Sequence, residues 1–166
     1  MKYFLTITRT LCVFLLASIF TIGSANTSNA IELTSIVEQE VTTLDEQGNK
    51  VVKRVPAEKV LPGKEVIYTT RFKNNGGEPA EDIIISNPIP QHTVYKLKSA
   101  TGKETDVVYS VNGGKSFHYS NQLRVVAQDG SERIAEAKDY TDIRWVYQGQ
   151  LQPGDEGVVE FRVVLQ

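Results

Sequence analysis

From residue 65 onward, apolar side chains recur at every second position. Val66, Tyr68, Thr70 and Phe72 fall on one side of an extended chain; Glu65, Thr69, Arg71 and Lys73 fall on the other, with Ile67 the exception. Ile83 and Ile85 repeat the spacing, as do Val107, Tyr109 and Val111, then Ile143, Trp145 and Tyr147, and finally Val159, Phe161, Val163 and Leu165. Alternation with period two places one row of side chains in a core and the other in water, the signature of half-buried strands. Turn signals separate the runs. Gln47-Gly48-Asn49 divides 36–44 from 51–55, Pro62-Gly63 leads into the strand at Glu65, and Asn74-Asn75-Gly76-Gly77 ends it. Asn112-Gly113-Gly114, Asp129-Gly130 and Pro153-Gly154 complete the set. Asn-Gly and Asp-Gly tolerate the positive φ of tight hairpins. Many short strands between frequent turns predict an antiparallel sandwich or barrel.

Three local expectations follow. Pro88 and Pro90 cannot donate to a ladder, so the chain is expected to leave its sheet after Ile85. Trp145 is expected to make the largest single apolar contribution to the core. A helix is plausible only at 132–138, where tertiary pairing could hold the chain extended instead. No internal repeat or low-complexity linker stands out.

The first thirty residues change the picture of where such a protein works. Lys2 and Arg9 are the charges there, 11–22 is an apolar run, and small residues follow at 23–25 and 28–30. A positive start, a short apolar stretch and a small-x-small site define an export signal, with cleavage after Ala25 or Ala30. An uncleaved anchor is the rival reading, but the run is short of the roughly 18–20 residues that span a bilayer. The expected product is a secreted or periplasmic chain, 31–166, with no membrane span. Cys12, the one cysteine, leaves with the signal, so the mature chain forms no disulfide and no thiolate metal site. Losing Lys2 and Arg9 moves the formal net charge from −2 to −4. No basic patch points to nucleic acid, and Lys50, Lys53 and Arg54, the densest basic cluster, suit the solvent side of a strand.

An ordered set of motifs resembles a known family. Pro62-Gly63 precedes Val66-Ile67-Tyr68, then come Asn74-Asn75-Gly76-Gly77, Ala80, Ile83-Ile84-Ile85 and Asn87-Pro88-Ile89-Pro90, and the chain closes with Trp145, Pro153-Gly154 and 159–165. This is similar to the conserved repeat domain of bacterial and archaeal surface proteins, catalogued as domain of unknown function eleven. The resemblance covers 60–91 and 141–166 and matches the middle loosely. It implies an all-β fold: an antiparallel immunoglobulin-like β-sandwich of about 7–9 strands, here with an inserted hairpin region at about 96–140. It also implies a structural, adhesive or stalk role without catalysis. Family members often carry tandem copies where this chain has room for one, and Asn87 stands where the family has Asp.

Candidate chemistry is sparse. The stretch 110–117 resembles an Asp-box, a turn-stabilising hairpin, with Asn112 in the Asp position, Gly113 and Gly114 accepting unusual φ, and Phe117 in the Trp position. His92 and His118 are the two histidines, and their separation gives no reason to place them together. No HExxH or Gly-x-Ser-x-Gly motif is present. Asp82, Asp129, Asp139, Asp142, Asp155 and Glu156 lie near predicted turns without an Asp-x-Asp-x-Asp run. Tyr95, Tyr109, Phe117 and Tyr119 could stack on sugars or anchor a protein; the competing reading is that they complete the core. Tyr68, Phe72, Trp145, Pro88, Pro90, Gly113 and Gly114 are assigned structural roles. No cofactor, metal or catalytic residue is expected. The leading expectation is a non-enzymatic structural or interaction module whose partner is another envelope or surface protein. A glycan-binding module is the alternative, and a hydrolase using His92 or His118 the remote one.

Overall fold

The computed structural model describes residues 31–166, so the export segment lies outside the described residues. The strands are β1 (Ile31–Leu44), β2 (Lys50–Pro56), β3 (Glu65–Asn74), β4 (Ile84–Pro88), β5 (Thr93–Tyr95), β6 (Thr101–Gly102), β7 (Thr105–Ser110), β8 (Arg124–Val126), β9 (Glu132–Ile134), β10 (Asp142–Tyr147) and β11 (Glu156–Leu165). Every pairing is antiparallel. The larger sheet runs β2-β1-β3-β11-β5, with β6 sharing the β5 edge of β11. A second sheet runs β4-β10-β7, and β8-β9 forms a separate hairpin. Seven of the eleven strands have five residues or more, and these make the sandwich that the alternation predicts.

The core lies between the two main sheets. Trp145, Phe161, Ile143, Ile85, Phe72, Val159 and Val163 are fully buried. Trp145 of the smaller sheet meets Phe161 of the larger at 5.9 Å between ring centres, and Tyr68 stacks on Phe161 at 5.0 Å. Each such side chain stabilises the fold by roughly 1.5–3 kcal/mol. Phe72 owes its place to a glycine. Gly157 is its register partner on β11, and a Cβ there would sit 2.1 Å from the Phe72 ring, so the ring lies flat over bare backbone. Trp145 Nε1–H is buried with no acceptor among the described residues, which partly offsets the gain from the ring.

Asn74 ties two turns to the end of β3. It is fully buried, its Nδ2 donates to the carbonyls of Glu78 and Leu151 at 2.7 and 2.9 Å, and its Oδ1 accepts the Gly76 N–H at 2.9 Å. Its backbone N–H donates to the Asp155 carbonyl, and its carbonyl accepts the Gly154 N–H. The first Asn-Asn-Gly-Gly turn and the second Pro-Gly turn are thereby one hydrogen-bonded unit.

Several expectations need correction. β4 does not end after Ile85 but continues through Pro88, which pairs in register with Asp142. The ladder phase explains this. Tyr147 N–H donates to the Ile83 carbonyl and Ile89 N–H to the Thr141 carbonyl, so odd-numbered residues of this strand bond to β10. Pro88 therefore lacks an N–H where none is needed, and Pro90 follows the strand. The 132–138 stretch is not a helix: Glu132–Ile134 pairs with β8, and a single 3₁₀ turn spans Ala137–Asp139. Finally, β1 starts at Ile31, ahead of the run at 36–44.

The Ile67 exception also has a structural cause. Ile67 faces away from the main core yet is 0% exposed. β1 pairs with β3 only as far as Glu38, and beyond that point the β1–β2 arm pairs with itself. Side chains of the arm reach over the outer face of the sheet: Arg54 bonds Glu160, and Glu40 bonds Arg162 at 2.9 Å. Arg162 is the register partner of Ile67 and also meets Glu65, which pairs with Lys96. The aliphatic stems of this alternating-charge network cover Ile67.

Candidate functional site

The four candidate contact aromatics do not form an exposed platform. Tyr95 is buried at the β5 edge, and its ring lies 5.4 Å from Tyr109 and 5.9 Å from Tyr140. Tyr109 stacks on Tyr140 at 4.8 Å, and the Tyr95 and Tyr109 hydroxyls are 3.1 Å apart. Burial first, and then the Tyr95 hydroxyl, raises the Tyr109 phenol well above its ordinary value. Phe117 is half-buried beneath Arg144, whose guanidinium carbon sits 3.6 Å from the ring centre. Tyr119 is the exposed member, at 48%. The structure therefore joins Tyr95 and Tyr109 as packing and leaves Tyr119 apart from them.

The 110–116 loop has the local bonding of a turn-stabilising hairpin. Buried Ser110 Oγ accepts from the Asn112 and Gly114 N–H groups and donates to Asn112 Oδ1 at 2.8 Å. Asn112 Oδ1 accepts the Ser116 N–H, and its Nδ2 donates to Ser116 Oγ. Gly113 and Gly114 have φ of 70° and 76°, and Gly113 N–H donates to Thr141 Oγ1. The result returns the chain to pair His118 with Tyr109 along the outer side of β7.

His118 is thus a backbone partner of Tyr109, whereas His92 sits before β5 with φ of 60° and accepts the Gln166 N–H through its carbonyl. Among the described residues, no three His, Cys, Asp or Glu side chains group as metal ligands. Three of the turn acids have local partners, whereas Asp142 Oδ2 is buried without one among the described residues. Asp129 accepts from Ser131 Oγ and N–H, and this holds its carboxyl below the usual range. Asp139 accepts both arms of Arg133 at 2.6 and 2.8 Å, with the same effect on its carboxyl. Glu156 pairs with Arg71 at the surface.

The more informative feature lies where the two sheets fail to match. Asn87 Nδ2 donates to Thr70 Oγ1 at 3.1 Å, and Thr70 shares a hydrogen bond with Ser35, so β4 stands over β3. Among the described residues the smaller sheet has no strand beyond β4 to lie over β1. On the side of β1 that faces the same way as Phe72 and Tyr68, Ile31 packs against the core and Ser35 bonds Thr70, but Leu33 and Val37 remain 55% and 39% exposed. A shallow groove of about 300 Å³ runs there, lined by Ile31, Leu33, Ala80, Ile83 and Ile84, with Glu81 and Asp82 at its end. Ile84 is the β4 residue in that lining, and from it the edge of β4 continues to Pro88; the backbone groups of Ile84, Ser86 and Pro88 point away from β10 and pair with no other strand among the described residues.

This edge carries no charged side chain. The edge strand of the larger sheet, β2, instead carries Lys50, Lys53 and Arg54, charges that discourage strand addition. Sequence reasoning missed the groove because it began the first strand at 36. The alternation Ile31, Leu33, Ser35, Val37 was the available signal.

No protein-family model, curated protein or solved structure matches the chain. Among the described residues, no helix is long and apolar enough to cross a membrane.

Proposed function

We propose that the chain is an exported, non-enzymatic structural or protein-interaction module of the cell envelope or surface, secreted or periplasmic, and that its partner is another envelope or surface protein. One observation carries this reading: an uncharged strand edge, unpaired among the described residues, stands beside exposed apolar side chains, whereas the β2 edge of the larger sheet is guarded by charge. Contiguous exposed apolar surface of this kind marks interaction sites. The export signal and the surface-repeat resemblance support the same reading.

The test is affinity capture from envelope extract with the mature chain, in parallel with Leu33→Lys. A defined envelope protein retained by the natural chain and lost with the variant is the expected result. Equal retention by both, or a chain that stays monomeric and partner-free in extract, overturns the reading.

A further inference from the structure

Resting on that interaction reading, we infer that the groove beside β4 accepts a single extended segment of a partner protein, which adds to the smaller sheet as a fourth strand. The backbone supplies the ladder. Ile84 and Ser86 present outward N–H groups, and Ile84, Ser86 and Pro88 present outward carbonyls. Pro88 accepts but cannot donate, so the added ladder stops there.

The side chains supply the floor. Leu33 lines the groove, and Val37, also exposed, continues the same face of β1 four residues further on, about 13 Å along the strand. A segment paired to β4 turns every second side chain onto that floor, so it must be apolar at alternate positions. Glu81 and Asp82 stand at the groove end next to Ile84, which favours a basic residue at that end of the segment.

The overhang of the larger sheet decides between a lone strand and a second sandwich. Beside the groove β1 extends past β4 by one strand, about 5 Å, because β2 pairs with β1 only from Glu38 onward. A second copy joined edge to edge through its own β4 would carry its β3 into the layer that β1 already occupies. A single segment brings no second layer and meets no such obstacle.

The probe is a synthetic peptide of alternating valine and threonine with a lysine pair at each end, titrated into the mature chain and followed by backbone amide and methyl spectra. The expected result is exchange protection at the Ile84 and Ser86 amides and shifts at the Leu33 and Val37 methyls. Ser86→Pro removes an N–H that the native ladder does not use. It should weaken binding about tenfold, the loss expected of one hydrogen bond, while the rest of the spectrum stays folded. A version with glutamates replacing the lysines should bind more weakly. Protection at β2 or β7 instead, or binding unaffected by Ser86→Pro, overturns strand addition at β4. If that happens while envelope capture is still lost in Leu33→Lys, the interaction reading survives; if capture is unchanged as well, both fall.

Discussion

Arg54 on β2 and Glu160 on β11 are joined by two N–H···O bonds, of 2.7 and 3.2 Å, although β1 and β3 lie between their strands in the sheet. In a flat sheet three strand spacings are about 14 Å, beyond the reach of this pair. The bonds therefore record that the β1–β2 arm curls over the outer face of the larger sheet. Arg54→Ala should speed amide exchange through 39–44 and 50–56 and leave β11 protected, with a stability loss of about 1 kcal/mol or less. Ile67→Ala, which empties the space beneath the network, should cost about 2–4 kcal/mol by denaturant unfolding. Equal effects of the two changes would mean the arm is not held as described.

Asn74 offers a test of the turn unit. Asn74→Ala leaves the Glu78 carbonyl and the Gly76 N–H without their side-chain partner, while the Leu151 carbonyl keeps the Ala80 N–H. The expected loss is about 2–3 kcal/mol. Asn74→Asp should be worse, because a carboxylate would face the carbonyls of Glu78 and Leu151. Denaturant midpoints of the two variants measure this order.

Gly157→Ala should destabilise by about 1–3 kcal/mol, because the added methyl meets the Phe72 ring within bonding distance and the ring is itself locked in the core. Combining it with Phe72→Leu should recover part of the loss, and a double-mutant cycle reads the coupling.

The pH dependence has two limbs. Glu40 is held below 4.5 chiefly by its bond from Arg162, and Asp139 below 3.8 chiefly by its bond from Arg133. A depressed carboxyl contributes stability that is present above its unfolded value and lost as pH falls through the folded one. Stability should therefore decline below about pH 4, and less steeply in Asp139→Asn. Tyr109 and Tyr140 are shifted the other way, above 10.0, chiefly by burial. Their contribution is complete below the unfolded value and falls as pH rises past it, so their tyrosinate absorbance should emerge together with unfolding. Early, independent titration of both rings would contradict their packing against Tyr95.

Much of the sandwich was legible because β10 and β11 alternate cleanly, β3 does so but for Ile67, and these strands carry the residues that fill the core, with Trp145 and Phe161 at its centre. Local rules failed where a distant element decides the outcome. Pro88 stays in a strand because its N–H side faces an open edge, and no sequence pattern says which edge is open. Ile67 is dry because charged side chains from three other strands close over it. Glu132–Ile134 is held extended by β8. The groove was hidden for the same kind of reason: the exposure of Leu33 and Val37 follows from the smaller sheet stopping at β4.

Residue-resolved hydrogen exchange along β4 tests the central claim most directly. An unpaired edge predicts fast exchange at Ile84 and Ser86 beside slow exchange at Ile85 and Asn87, whose N–H groups bond to β10. Slow exchange at all four amides in the isolated mature chain would show that the edge is already covered and would contradict the account.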